Sequence, residues 1–140
     1  MRLWHKDLIT VLPREQLIAQ WRELSAIAGA IQKNGTPNHI LVNFVLDYDF
    51  NHFISYAAIV RKEMTRRGYR SSEAVWKKII SLKENCYNNI PFKNIYANKM
   101  DDTYLTICYY NLLEKFLCGS FKYEQFEAIY DKCNIVPKLK

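Results

Sequence analysis

Residues 13–35 read PREQLIAQWRELSAIAGAIQKNG, and this stretch decides the fold of the chain. Pro13 suits the first position of a helix, and the pair Asn34-Gly35 is typical of a helix end. Between them, apolar residues recur every three or four positions, which predicts one apolar stripe that packs against a core. The stripe consists of Leu17, Trp21, Leu24, Ala28 and Ile31. The segment therefore predicts a long amphipathic helix.

Glu23 falls outside this stripe. At about 100° per residue it lies roughly opposite Leu24 and Ile31 on the helix. Its neighbours on the same face are three alanines, Ala19, Ala26 and Ala30. Three methyl groups leave room for a ligand or another backbone segment to approach the acid. The alternative is a solvated glutamate on a face rich in alanine, because alanine is the best helix former. The pattern alone favours this simpler interpretation.

The remainder of the chain predicts four further helices. They run from Asp49 to Arg67, from Ser72 past Ile80, from Asp101 or Asp102 to Gly119, and from Tyr123 to Lys132, followed by a tail with Pro137. The apolar run 40–46 fits either a strand or a buried helix, and the Asn-rich residues 85–100 predict a loop. No repeat or linker interrupts the chain. Residues 1–140 therefore predict a single compact all-α domain of about four to five helices with long loops.

Composition narrows the class of protein. The chain has 140 residues, of which 49% are hydrophobic, enough for one sizeable core. Twenty Lys and Arg residues against 14 Asp and Glu give a formal net charge of +6, which favours a polyanionic partner, either nucleic acid or an anionic membrane surface. No apolar run approaches the roughly 18 residues of a membrane span, and no signal peptide is apparent. We expect a soluble, cytoplasmic protein.

Other site chemistries find little support in the sequence. The four cysteines have no short Cys-x-x-Cys spacing, so neither a zinc site nor a disulfide framework is indicated. His5 and His39 have no Ser or Cys at motif spacing, which leaves a hydrolase triad unsupported. Asp47, Asp49 and His52 offer enough donors for a divalent cation, although the start of a capped helix has the same composition. No cofactor is indicated.

Positive charge is concentrated in residues 61–70, RKEMTRRGYR, which hold five cations and one acid. The segment falls at the end of a predicted helix, where cations are stabilised by the helix dipole. The alternative is a patch that contacts phosphate groups and positions a duplex without reading its sequence. Both interpretations stay open.

Residues 16–24, QLIAQWREL, followed by Gly29-Ala30, resemble the catalytic helix of the pyrimidine-dimer DNA glycosylases related to the phage endonuclease V. The opening residues 1–5, MRLWH, with Leu8-Ile9 and Pro13-Arg14, resemble a bacterial branch of that family still more closely. Residues 66–69 resemble the basic turn that ends a family helix, and residues 113–115 resemble part of its C-terminal DNA-binding segment. The similarity is specific up to Ala30 and loose beyond it.

The resemblance implies a small, mostly helical, monomeric enzyme that acts on damaged duplex DNA, with pyrimidine dimers as the expected lesion. Such an enzyme flips a nucleotide, breaks its N-glycosidic bond and cleaves the strand at the abasic site, without metal or cofactor. The family nucleophile is the N-terminal α-amine, which attacks C1′ and forms a Schiff base. The implied catalytic groups are Met1 and Glu23, and the implied DNA contacts are Arg2, Arg22, Gln16, Arg66, Arg67 and Lys115.

The chemistry explains the use of an α-amine. Its reference pKa near 7.7 to 8.0 leaves roughly a tenth to a fifth of the groups neutral at pH 7, whereas well under a thousandth of lysine side chains are neutral. It is therefore a nucleophile without burial. Glu23 would stabilise the positive charge on the sugar, relay protons and remove the proton that starts strand elimination.

Three positions depart from the family pattern. The phage enzyme loses its initiator methionine and attacks with a small residue, but Arg2 is a poor context for this removal, so we expect Met1 to be retained and its own amine to be the nucleophile. The family has a histidine where Gln16 stands and an arginine where Ala26 stands.

Two other functions are alternatives to a DNA glycosylase. One is a non-catalytic helical nucleic-acid-binding module, and the other is a metal-dependent nuclease using Asp47, Asp49 and His52.

Overall fold

A computed structural model describes residues 1–133, and within this range the chain is helical with no β-strand. The α-helices are α1 (Arg14–Asn34), α2 (Phe50–Arg66), α3 (Glu73–Ile80), α4 (Asp102–Leu117) and α5 (Tyr123–Cys133). Short 3-10 helices cover Lys6–Val11, Asn43–Asp47 and Phe92–Asn94. No helix in residues 1–133 is both long and apolar enough to cross a membrane. The predicted tail with Pro137 lies outside the described residues.

The all-α prediction is confirmed, and the helix ends follow the local signals in the sequence. Gly35 ends α1 with a positive φ of 77°, and its N–H donates to the Ile31 carbonyl. The Asp49 carboxylate caps α2 by accepting from the Asn51 N–H. All five residues of the predicted α1 stripe are buried. Of the two options for residues 40–46, the structure has no strand there but a turn that leads into the 3-10 helix Asn43–Asp47.

The opening residues lie inside the fold, which the sequence did not predict. Leu3 and Trp4 belong to the core, and the 3-10 helix Lys6–Val11 packs against α2 and α5. α1 itself packs against α2 and α3. Leu3 to Lys6 are therefore buried between helices, whereas Met1 is exposed.

Two buried polar residues bind the opening segment to the loop before α4. His5 accepts from the Asp7 N–H at Nδ1 and donates from Nε2 to the Met100 carbonyl, 2.9 Å away. This pattern requires the neutral ring, in agreement with burial, which lowers the pKa of His5. Lys6 Nζ donates to the Ile95 and Lys93 carbonyls at 2.7 and 3.0 Å, and burial lowers the pKa of this amine.

A cluster of Glu63, Arg66 and Arg67, called the Glu63 clamp, joins the end of α2 to the segment before α1. Arg67 donates to the carbonyls of Leu12 and Thr10 at 2.7 and 3.1 Å, and it forms an ion pair with Glu63. The Glu63 side chain is only 4% exposed and also binds Arg66. Burial alone would raise the pKa of Glu63, but the hydrogen bonds from the two arginines outweigh it and lower the pKa. The carboxylate is thus ionised and structural.

The Glu63 clamp predicts a pH-dependent loss of stability. Glu63→Gln should reduce the free energy of unfolding at pH 7 by about 2 kcal/mol, less than the 3–5 kcal/mol of a fully buried pair because Arg66 is exposed. A depressed pKa gives stability that is present above the ordinary pKa of glutamate and lost as the pH falls through the folded value. The difference between parent and variant should therefore shrink from pH 7 to pH 3.5, measured by urea unfolding.

Glu73→Gln is the matched control, since Glu73 is an exposed partner of Arg61. Its ion pair should contribute less than about 1 kcal/mol. A Glu63→Gln protein as stable as the Glu73→Gln protein would contradict the clamp.

Candidate active site

A pocket of about 270 Å³ opens where the start of the chain meets α1 and α4. Four residues that the sequence singled out line it together, namely Met1, Arg2, Glu23 and Lys115. The remaining walls are formed by Trp4, Leu41 and Asn111. The structure therefore brings the N-terminal residue and the acid of α1 into one cavity, with a cationic side chain from each side.

Glu23 lies directly beside the backbone of the opening segment. Its Oε2 atom is 3.5 Å from the Arg2 N–H, and the residue that carries the α-amine is the adjoining Met1. Arg2 is half-buried, and its guanidinium lies 5.9 Å from the centre of the Trp4 ring. Met1, Arg2 and Glu23 thus line one small cavity, whose acid can transfer protons and whose cation can bind an anionic ligand.

Gln20 connects Glu23 with the opening segment. The side chain is fully buried, and its amide nitrogen donates to the Arg2 carbonyl at 2.9 Å and to Glu23 Oε2 at 3.1 Å. Its amide oxygen accepts from the Trp4 N–H at 2.8 Å and lies 2.9 Å from the Tyr56 hydroxyl. One residue therefore orients the carboxylate and fixes the backbone that leads to Met1.

Two tyrosines complete the anchoring of this backbone. The Tyr56 hydroxyl on α2 lies 2.6 Å from the Trp4 carbonyl, and the Tyr104 hydroxyl on α4 donates to the Leu3 carbonyl. Burial raises the pKa of both hydroxyls, so both stay protonated and able to donate. Together with the bond from Gln20 to Arg2, each carbonyl of residues 2–4 binds a different side chain. The segment is held from three helices at once.

The sequence analysis missed Gln20, Tyr56 and Tyr104. A signal for Gln20 was present, because it stands three residues after Leu17 and four before Leu24, on the apolar stripe itself. A polar residue at such a position is buried and needs partners. Apart from Glu23, the partners of Gln20 come from elements 16 to 36 residues away, which periodicity within one helix does not reveal.

The other predicted DNA contacts do not line the pocket. Arg22 is exposed on α1 next to Glu23, and Gln16 is half-buried with its Oε1 lacking a protein partner. Arg66 and Arg67 lie at the end of α2, bound to Glu63. The three alanines near Glu23 do not line the pocket either. Its space comes instead from the start of the chain, the turn at Leu41 and α4.

The residues weighed as a metal site are engaged separately. Asp49 caps α2 and forms an ion pair with Lys83, while His52 Nδ1 accepts from the Tyr96 N–H at 3.1 Å. Asp47 is exposed at the end of its 3-10 helix. In the described part of the chain, no three His, Cys, Asp or Glu side chains are grouped so that they could hold a metal ion. The geometry does not favour a metal-dependent nuclease.

Comparison with known proteins gives one match. The family model described as pyrimidine dimer DNA glycosylase matches residues 1–77, a range that contains Met1, Arg2, Gln20 and Glu23. Neither the curated proteins nor the solved structures gave a match. The matched range covers the opening segment, α1 and α2, whereas the wall of the pocket formed by α4 lies beyond it.

Removal of the Gln20 side-chain hydrogen bonds should loosen the backbone around Trp4. Gln20→Met keeps the volume but removes every hydrogen bond and leaves the Trp4 N–H unpaired, so the free energy of unfolding should fall by about 2–3 kcal/mol. The Trp4 amide should exchange with solvent at least about tenfold faster, measured by NMR hydrogen exchange.

Gln32→Met on the same helix is the control. Gln32 is exposed and binds Ser81 on the surface, so its loss should cost less than about 1 kcal/mol. Equal effects of the two substitutions would contradict the anchoring role of Gln20.

Proposed function

The chain belongs to the pyrimidine dimer DNA glycosylase family, and from this premise we propose that it is a DNA-repair glycosylase with abasic-site lyase activity on damaged duplex DNA. The pocket that joins Met1 to Glu23 is its active site in this proposal. The observation that carries it is the presence of the N-terminal residue and the α1 acid in one cavity of about 270 Å³. The resemblance assigned catalytic roles to the same two residues, and it names pyrimidine dimers as the expected lesion.

In the first step the α-amine of Met1 attacks C1′ of a nucleotide flipped out of the duplex. The nitrogen lone pair forms the new bond, the N-glycosidic bond breaks, and its electron pair leaves with the base, which takes up a proton. The attacking nitrogen then loses a proton, which restores a lone pair. This pair forms the C=N bond of the Schiff base as the C1′–O4′ bond opens and O4′ takes up a proton. A primary amine can follow this route, because it still carries an N–H proton to lose after the attack.

Glu23 acts both before and after the Schiff base forms. Its carboxylate stabilises positive charge that develops on the sugar, and it transfers protons while the imine forms. It then removes a proton from C2′, and the released electron pair expels the 3′ phosphate. Water finally hydrolyses the imine and restores the amine. Gln20 supports each step by donating to the same carboxylate oxygen that lies beside Arg2.

The cations around the pocket bind the DNA backbone. Arg2 and Lys115 line the cavity from opposite elements, and Arg22 is exposed one residue before Glu23. Arginine and lysine neutralise phosphates and position the duplex without reading its sequence. Gln16 and Arg66 are further contacts expected from the resemblance. Arg67 is left out of this set, because its guanidinium is occupied by Glu63 and two carbonyls.

Reductive trapping tests the proposal. With EDTA present, borohydride should link the protein covalently to a duplex with one abasic site, and peptide mapping should place the bond on the α-amine of Met1. Intact mass of the same sample establishes that Met1 is the first residue. Glu23→Gln should cleave abasic DNA at least about 100-fold more slowly, the usual contribution of a general acid–base group.

Two controls make the outcome specific. Glu15→Gln on the same helix changes an exposed glutamate paired with Arg14 and should act as the parent does. A protein with an added N-terminal Gly-Ser extension should form the adduct much more slowly than the parent does. An extended protein that traps DNA as well as the parent, with the adduct mapped to a side chain, would assign the chemistry to a lysine, and DNA binding without any adduct would favour the non-catalytic module.

The phosphate contacts predict a salt-dependent effect. Lys115→Ala should weaken binding to an abasic duplex and lower the slope of log K against log salt concentration by about 1, because one fewer counterion is released. Lys77→Ala, an exposed lysine on α3 that does not line the pocket, is the control. Identical salt slopes for the parent and the Lys115→Ala protein, measured by fluorescence anisotropy, would rule out this contact.

A further inference from the structure

An exposed pair of apolar residues stands at the edge of the pocket. Ile40 is 87% exposed, the most of any large hydrophobic side chain in the described residues, and the adjacent Leu41 is 44% exposed and lines the pocket itself. Both lie in the turn that connects α1 to the 3-10 helix Asn43–Asp47. The pair therefore presents an apolar surface beside Met1 and Glu23.

The turn that carries the pair is fixed by its own hydrogen bonds. The His39 N–H donates to the Asn43 side chain at 2.9 Å, and the His39 carbonyl accepts from the Val42 and Asn43 N–H groups at 3.0 and 2.9 Å. Val42 is fully buried and anchors the turn in the core. An ordered support of this kind directs Ile40 outward, so its exposure is built into the local structure.

The pocket beside Ile40 and Leu41 has both apolar and positively charged walls. Leu41 and Trp4 give one part of the pocket wall an apolar surface, whereas Arg2 and Lys115 supply positive charge around the same opening. A DNA duplex offers the matching surfaces, because its phosphates suit the cations and its base stack suits apolar side chains. The arrangement therefore fits a DNA duplex.

We propose that Ile40 and Leu41 form an apolar wedge that enters the base stack beside the nucleotide whose sugar occupies the pocket. This inference rests on the proposed function. Removal of one nucleotide from the stack leaves each neighbouring base without a stacking partner on one side, which is part of the cost of flipping. Apolar side chains that fill the gap restore contact and bury their own exposed surface. The wedge thus favours the open duplex, and it leaves the chemistry at C1′ to Met1 and Glu23.

A fluorescent base reports the opening of the stack. The probe is a duplex with one cyclobutane thymine dimer and 2-aminopurine opposite it, bound by Glu23→Gln protein so that no cleavage occurs. We expect a rise in fluorescence at saturating protein, and Ile40→Ala with Leu41→Ala should remove at least about half of it. In the active protein the same pair of substitutions should slow cleavage of the N-glycosidic bond at the dimer about tenfold or more.

Leu117→Ala is the matched control, since Leu117 is 73% exposed and does not line the pocket. It should leave the fluorescence rise and the rate of glycosidic cleavage within about twofold of the parent. Thermal unfolding of all variants verifies that the exposed substitutions leave the fold intact.

Each outcome decides between the two proposals. Parental fluorescence and glycosidic cleavage in the doubly substituted protein, or no fluorescence rise with the Glu23→Gln protein, would overturn the wedge. Reductive trapping on a duplex whose damaged base is already absent tests the proposed function by itself. A parent that traps abasic DNA while the wedge substitutions have no effect keeps that function and loses only the wedge, whereas a parent that traps nothing loses both.

Discussion

The hydrogen bonds of the Gln20 side-chain amide are the interactions on which the geometry of the site depends. An amide is the group that can accept from a backbone N–H while it donates to a carbonyl and a carboxylate. Gln20 makes these bonds with Trp4, Arg2 and Glu23 at once, and its oxygen also lies 2.9 Å from the Tyr56 hydroxyl. Methionine would fill the space without any bond, and an ionised glutamate would bring a second negative charge against Glu23. The geometry of the pocket therefore follows from one residue type at one buried position.

The α-helices follow from signals that lie close together in the sequence, and for this reason they could be predicted. The α1 stripe repeats within a few residues, and the caps at Asp49 and Ser72 bind N–H groups within their own first turns. The anchors of the opening segment are different, because Tyr104 reaches Leu3 across 101 residues of sequence. Composition and periodicity describe neighbours along the chain, and they carry no information on which distant hydroxyl meets which carbonyl.

The same distinction applies to charge and open space. The cations of residues 61–70 were visible in the sequence, but Glu63 was one acid among them, and its burial shows only in the packed structure. This burial makes Arg67 a structural residue and leaves Arg66 exposed. The position of Glu23 off the apolar stripe was predictable, whereas the space above it was assigned to alanines and is in fact bounded by Leu41, Asn111 and other distant residues.

A nucleophile at a chain terminus faces a physical difficulty, because terminal residues are normally poorly ordered unless they are bound. Here the carbonyls of residues 2–4 are each held by a separate buried side chain, so only Met1 extends beyond the fixed backbone. In the proposed reaction, the entropy cost of ordering residues 2–4 therefore belongs to folding and not to DNA binding. Only Met1 has to move for its amine to reach C1′. A terminal amine is useful because it is partly neutral without burial. Rigid anchoring immediately behind it supplies the position that an exposed group would otherwise lack.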